Sequence, residues 1–156
     1  MFRELAFSFL LVAVCVLIHS SGLVILFEWL VRHRAAIESR GWMVRYMRLL
    51  ITAFFVIIVL HLAEAAIWGL FFFYRRLFED FETSLYFSIV SYTTIGYGDV
   101  VLPQRWRLLG GIEGISGVLL CGLSTAFVFA VVNAVFQIRL EQQRAAMQEA
   151  SEVEPI

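Results

Sequence analysis

The stretch SYTTIGYGD, residues 91–99, decides the fold of this 156-residue chain. Long apolar runs lie on both sides of it, which places it at membrane depth. Irregular backbone at that depth must be buried in protein or line water. Gly96 and Gly98 alternate with larger residues and permit backbone angles that a side chain forbids. Successive carbonyls of residues Thr94–Tyr97 can therefore all face one axis.

Three long apolar runs predict membrane-spanning helices: Leu5–Val31, Leu49–Tyr74 and Leu108–Ile138. Each is longer than the roughly 20 residues that a helix needs to cross the hydrocarbon core. The apolar segment Leu85–Ile95 is too short to cross. It predicts a re-entrant helix over Glu82–Thr93, capped by Thr83 or Ser84. The predicted fold class is an all-α membrane protein: three transmembrane helices, one re-entrant helix and the loop after it.

The composition excludes several classes of protein. Hydrophobic residues make up 61% of the chain and charged residues 16%, against about 25% charged in ordinary soluble domains. We therefore expect no water-soluble enzyme. The net charge of −1 gives no reason to expect nucleic acid. The first run is about twice the length of a signal-peptide core and lacks a small-residue cleavage site, so we expect a retained span.

The loop between the first two runs carries most of the topological signal. Its arginines are Arg32, Arg34, Arg40, Arg45 and Arg48. Only Arg3 precedes the first run, so the positive-inside rule predicts a cytoplasmic loop, an outside N-terminus and a cytoplasmic C-terminus. The predicted divisions are an extra helix (1–34), an interfacial helix or a linker (35–48), a central domain (49–138) and a tail (139–156).

Residues Thr94–Gly98, read as TIGYG, resemble the selectivity-filter signature of potassium channels. Together with the flanking spans, residues 49–138 resemble the two-transmembrane, pore-loop type of potassium channel pore. The resemblance implies a C4 homotetramer in a lipid bilayer, which we expect to be a bacterial inner (plasma) membrane. It implies K⁺ as the permeant ion, with no other cofactor and no enzymatic activity. The carbonyls of Thr94, Ile95, Gly96, Tyr97 and Gly98 would bind K⁺.

The same resemblance implies a set of residues that support the filter. Tyr86, Phe87 and Tyr92 are expected to form an aromatic collar around it. Many family members carry a glutamate four residues before the filter threonine, paired with the aspartate after the filter. Here that position is Val90, so Asp99 is expected to bond Tyr86 instead.

The third run resembles the inner helix of prokaryotic inward-rectifier potassium channels through Glu113, Gly117, Ser124 and Phe129, without the large cytoplasmic domain of those channels. Gly117, Cys121, Thr125 and Phe129 recur every four residues. One interpretation makes Gly117 a hinge, Cys121 and Thr125 cavity-lining residues and Phe129 a constriction. The other makes the same stripe ordinary packing between membrane helices.

Polar residues within the runs are functional candidates because burying them in a membrane is costly. They are His19, His61, Glu64 and Glu113. Three interpretations stay open: hydrogen bonds between helices, a proton-sensitive cluster, and a metal site. The alternatives to a K⁺-selective channel are a weakly selective cation channel and a membrane metal-binding or accessory subunit.

Overall fold

The computed structural model describes the backbone of residues 2–33 and 42–153, and the side chains of residues 4–33 and 43–148. Its elements are α1 (Phe2–Arg32), α2 (Trp42–Tyr74), α3 (Phe81–Tyr92), the 3₁₀ helix Gln104–Trp106 and α4 (Arg107–Val153). Helices α1, α2 and α4 are long and apolar enough to cross a membrane. The predicted all-helical architecture with three long apolar helices is therefore confirmed. No strand occurs in the ranges that the structure describes.

Helix α2 begins before the apolar run does. The segment predicted as an interfacial helix or linker lies partly outside the described residues, and its remainder, 42–48, continues into the span without a break. At the other end, Arg76 has a left-handed φ of 53°. The Leu77 amide donates to the Phe72 carbonyl at 3.1 Å, and the Arg76 amide donates to Phe73 at 2.8 Å. This pattern is a Schellman motif, which satisfies the last carbonyls of α2 and turns the chain.

Helix α3 begins one residue earlier than predicted, and Asp80 caps it rather than Thr83 or Ser84. The Asp80 carboxylate accepts hydrogen bonds from the Thr83 backbone amide at 2.7 Å and from the Thr83 hydroxyl at 2.9 Å. The predicted cap was wrong because a capping side chain lies two or three residues before the backbone amide whose hydrogen bond it accepts. Thr83 is the residue that supplies that amide here, and Asp80 is the cap. The backbone and hydroxyl hydrogen bonds from Thr83 hold the pKa of Asp80 below its ordinary value.

Residues Met1–Ser124 form one compact unit, whose core is aromatic. The Phe87 ring of α3 packs against Phe72 at 5.4 Å and Phe78 at 5.2 Å between ring centroids. The Arg75 guanidinium lies 5.4 Å from the Phe7 ring and 5.1 Å from the Trp106 ring. The Phe87 contacts join α3 to the end of α2, and the Arg75 contacts join that end to α1 and to the 3₁₀ helix.

The second unit, Thr125–Ile156, contains the C-terminal part of α4. Its helical part is mostly apolar up to Ile138 and polar from Arg139 onward, where Arg139 donates to the Gln142 side chain at 2.9 Å. The spacing of three residues puts the two side chains on one helical face.

Candidate functional site

The segment 94–98 leaves the C-terminal end of α3 with an alternating backbone. Thr94, Gly96 and Gly98 have φ of 61°, 58° and 78°, whereas Ile95 and Tyr97 are not in the positive region. The Thr94 amide donates to Ser91 at 3.0 Å, and the Gly96 amide donates to Val90 at 3.2 Å. Left-handed angles at every second residue prevent the segment from continuing as a helix or a strand. The backbone is thus arranged in the alternating manner expected from the two glycines.

Glycine is needed at 96 and 98 for its backbone angle and not for space. A Cβ on either residue meets nothing within 4 Å. A positive φ is costly for residues with a side chain, and Thr94 is the non-glycine residue that accepts it here. The segment is exposed in the single chain: Ile95 is 53% and Tyr97 is 70% accessible. Irregular, exposed backbone at membrane depth needs water or further protein to satisfy its polar groups.

Tyr86 and Asp99 join α3 to the far end of this segment. The Tyr86 hydroxyl donates to Asp99 Oδ2 at 2.7 Å, so the bond expected in place of a glutamate partner is present. This hydrogen bond is the main reason that the pKa of Asp99 lies below its ordinary value. A hydrogen bond from a hydroxyl to a charged carboxylate is stronger than one between two neutral groups. The segment 94–98 is therefore tied at its end as well as at its start.

The other two collar residues lie in different surroundings. Phe87 belongs to the aromatic core with Phe72 and Phe78. Tyr92 is 2% accessible and its ring lies 5.8 Å from the ring of His61. Within the described residues, no ring contact joins Tyr97 to either of them. A collar around Tyr97 stays a prediction for an assembled oligomer.

Helix α4 passes unusually close to the last turn of α3. A Cβ on Gly117 would lie 2.0 Å from the Tyr92 carbonyl oxygen, and one on Gly114 would lie 3.1 Å from the Ser91 carbonyl oxygen. No side chain fits at 117 without moving backbone. Gly117 therefore has a packing role in this structure, whether or not it is also a hinge. Cys121, one turn further along α4, is exposed.

The remaining residues of the predicted cavity and gate, Thr125 and Phe129, belong to the C-terminal unit. Both are exposed, Phe129 at 71%. Their roles as cavity lining and constriction stay predictions.

The intramembrane polar residues divide into two groups. His19 on α1, and His61 and Glu64 on α2, offer ligand-type atoms within 4.8 Å of one another. His19 Nδ1 lies 2.8 Å from Glu64 Oε1. Tyr92 and Ser124 complete this group, and sequence reasoning did not connect them to it. Both are polar residues within apolar segments of the sequence, which is the signal that could have connected them to this group.

Glu113 lies in the second group, with Ser88 on α3. The Ser88 hydroxyl is hydrogen-bonded to the Ala65 carbonyl at 2.6 Å and also to Glu113 Oε1. Glu113 and Ser88 are both inaccessible, and Glu113 Oε2 has no hydrogen-bond partner among the residues that the structure describes. A carbonyl can only accept, and a hydroxyl carries one proton. We infer that the Glu113 carboxyl is protonated and donates to Ser88, which donates to Ala65.

Comparisons with known proteins indicate the family to which the sequence is related. Residues 56–134, just over half of the chain, match the sequence model of a family described as "Ion channel". The human voltage-gated potassium channel regulatory subunit KCNG2 is 33% identical over 95 residues, covering 58% of this chain and 19% of the relative. TWiK family of potassium channels protein 18 from Caenorhabditis elegans is 39% identical over 70 residues, covering 45% and 14%.

The calcium-gated potassium channel TvoK from Thermoplasma volcanium is 35% identical over 66 residues, covering 42% of this chain and 18% of the relative. The chain thus spans less than a fifth of the length of these relatives. Their names denote potassium channel proteins and none denotes an inward rectifier, so the predicted likeness to inward rectifiers has no support. No solved structure matches.

Proposed function

Because the chain belongs to the ion channel family matched by residues 56–134, we propose that it forms a homotetrameric channel that conducts K⁺ selectively and passively. The observation that carries the proposal is the alternating left-handed backbone at Thr94, Gly96 and Gly98. Such a backbone can turn successive carbonyl dipoles to one side. Rings of these dipoles replace the hydration shell that K⁺ loses on entering a filter.

Four copies are proposed because one segment cannot enclose an axis. The exposed surface beside the segment supports this: a groove lined by Thr94, Gly96, Gly111, Gly114 and Leu119 runs along α4. Ile115 and Leu119 are 64% and 68% accessible there. A head-to-tail interface repeated around a fourfold axis closes into a ring, covers this groove and leaves the carbonyls facing the shared centre.

Helix α3 would act as the pore helix. Its last residue, Tyr92, is followed by the cap residue Thr93 and then by the segment, so the negative end of the helix dipole points toward the ion path. The effect of one helix is modest, and four converging helices add. The Tyr86–Asp99 hydrogen bond would hold the outer end of each filter strand.

The proposed topology places the N-terminus and residues 75–107 outside, and the tail from residue 139 in the cytoplasm. The five arginines within residues 32–48, between the first two apolar runs, support this orientation. Residues 49–138 would form the pore domain, and residues 1–34 an additional helix beside it.

The proposal is tested by K⁺ flux through the purified chain in liposomes. Gly96→Ala should abolish flux, because a methyl group at φ 58° strains the backbone and displaces the carbonyls. Gly122→Ala is the matched control: it adds the same methyl to α4, where nothing lies within 4 Å. Unchanged flux in Gly96→Ala would remove the filter assignment. Equal K⁺ and Na⁺ permeability in the unaltered chain would replace it with a weakly selective cation channel.

A further inference from the structure

Five side chains from all four helices form a closed ring of hydrogen bonds. His19 Nδ1 meets Glu64 Oε1 at 2.8 Å, and the Tyr92 hydroxyl donates to Glu64 Oε2. His61 Nδ1 meets the Tyr92 hydroxyl at 2.9 Å. Ser124 Oγ closes the ring, at 3.1 Å from His61 Nε2 and 3.0 Å from His19 Nε2. We refer to His19, Glu64, Tyr92, His61 and Ser124 as the polar ring.

The number of protons that this ring needs follows from its connectivity. Each of its hydrogen bonds contains one proton, so a complete ring needs five. Neutral Tyr92 and Ser124 each supply one, and each neutral imidazole supplies one. An ionised Glu64 supplies none. The ordinary protonation states thus provide four protons for five bonds, and one bond stays open unless the ring takes up another proton.

The added proton also balances the charge. His19, Glu64 and Ser124 are buried at 0%, 0% and 5% accessibility. With the fifth proton the ring has no net charge. The proton is either on an imidazole, which then forms an ion pair with the Glu64 carboxylate, or on Glu64, which is then a neutral acid beside two neutral imidazoles. Without it, one negative charge stays buried, which is costly in a low-dielectric environment. No arginine bonds Glu64 in the described part of the chain.

The other titratable groups near the ring do not supply that proton. Three of them interact electrostatically with ring members or with one another: Cys15 on α1, and Cys121 and Glu113 on α4. The thiols are neutral in apolar surroundings. Glu113 is bonded to Ser88, outside the ring. Every ring nitrogen and oxygen named above already has a hydrogen-bond partner, so the geometry favours a proton over a metal ion.

We propose that the polar ring is a binding site for one proton and that this proton regulates conduction. The regulatory part rests on the proposed channel function. The protonated ring binds Tyr92, the last residue of α3, to α1 and α2 and through Ser124 to α4. Loss of the proton opens one bond and leaves a charged Glu64 hydrogen-bonded to Tyr92, the residue that precedes the Thr93–Gly98 turn and filter. We expect K⁺ flux to be highest with the ring closed and to fall as the pH rises.

The proton itself is tested by ¹⁵N-histidine and ¹³C-glutamate NMR of the chain in bilayers, in a His33→Gln background. His33 is exposed, and its removal leaves His19 and His61 as the chain's histidines. At pH 7 we expect one imidazolium with a charged Glu64, or two neutral imidazoles with a protonated Glu64. Glu64→Gln identifies the carboxyl signal by difference. Two neutral imidazoles with a charged Glu64, or a stoichiometric transition-metal ion, would overturn the proposal.

Regulation is tested by K⁺ flux between pH 5 and 9. The unaltered chain and His33→Gln should lose flux at high pH by about fivefold or more, the lower end of typical coupling between sites. Glu64→Gln should show no pH dependence and keep the acid-side flux, because its amide donates to His19 Nδ1 and completes five bonds without charge. A normal pH profile in Glu64→Gln would refute regulation by the ring. Absence of flux in every variant at every pH would instead refute the channel, while the NMR result would still stand.

Discussion

The hydroxyl of Tyr86 donates a 2.7 Å hydrogen bond to the carboxylate of Asp99, linking the middle of α3 to the residue that follows Gly98. Thirteen positions separate the two residues in sequence. The bond spans the whole turn and filter segment, so one contact restrains both the helix and the loop that leaves it. Its consequences are measurable through the ionisation of Asp99.

Tyr86→Phe should raise the pKa of Asp99 toward its ordinary value, because the hydrogen bond that favours the charged form is lost. The bond stabilises the fold where Asp99 is ionised, and this contribution is lost as the pH falls through the lowered pKa. The variant should therefore be less stable at neutral pH and lose less on acidification. The measurement is a ¹³C-aspartate NMR titration. Asp80 is the other aspartate in the chain and serves as the internal control, since its pKa should not change.

Gly117→Ala should destabilise the protein by about 2 kcal/mol or more, because the new methyl group overlaps the Tyr92 carbonyl and forces the backbones apart. Gly122→Ala lies on the same helix, meets no neighbour within 4 Å and should be tolerated. Thermal unfolding in detergent compares the two. Equal stability would show that α3 and α4 are not in close contact in the assembled protein, and would favour the hinge interpretation of Gly117.

Glu113→Gln should leave stability and K⁺ flux close to those of the unaltered chain. Its amide can donate to Ser88 as the protonated carboxyl does, so the chain of bonds to the Ala65 carbonyl survives. Glu113→Ala removes the donor and leaves a cavity, at a cost of about 2–4 kcal/mol. A large loss of stability in Glu113→Gln would indicate that Glu113 is ionised. Chemical or thermal unfolding of both variants provides the measurement.

Phe129→Ala should lengthen single-channel open times if the Phe129 side chains narrow the inner mouth, because a wider apolar constriction stays wet more easily. Phe136→Ala is the matched control in the same unit, with a ring of comparable exposure at 59% against 71%. Bilayer recordings distinguish the two. If Phe129→Ala and Phe136→Ala have identical open times, Phe129 is a lipid-facing or packing residue and not a constriction.

The features that the sequence predicted well are local. Three spans follow from unbroken apolar runs, and the alternating backbone at 94–98 follows from the two glycines. The Tyr86–Asp99 bond was predictable because Val90 cannot pair with a carboxylate. In each case the decisive residues are close in sequence or form one continuous run.

The features that were missed depend on distant residues. His19 and Ser124 are 105 positions apart, and no periodicity along the chain connects them. Gly117 fits a hinge or a packing stripe equally well in sequence, and its nearness to the Tyr92 carbonyl emerges only when α3 and α4 are placed together. The cap of α3 is a local exception: it was misassigned by a few residues because several cap-forming side chains lie close together there.

The pairing of His19 with Glu64 also bears on how the polypeptide is made. A carboxylate in the middle of an apolar segment raises the free energy of entering the bilayer by about 2.5–3.5 kcal/mol. Because α1 precedes α2, insertion in chain order would place the His19 imidazole in the lipid before Glu64 arrives. The first helix would then act as an intramolecular chaperone for the second, and a truncated chain would fail during biogenesis, before any question of ion permeation arises.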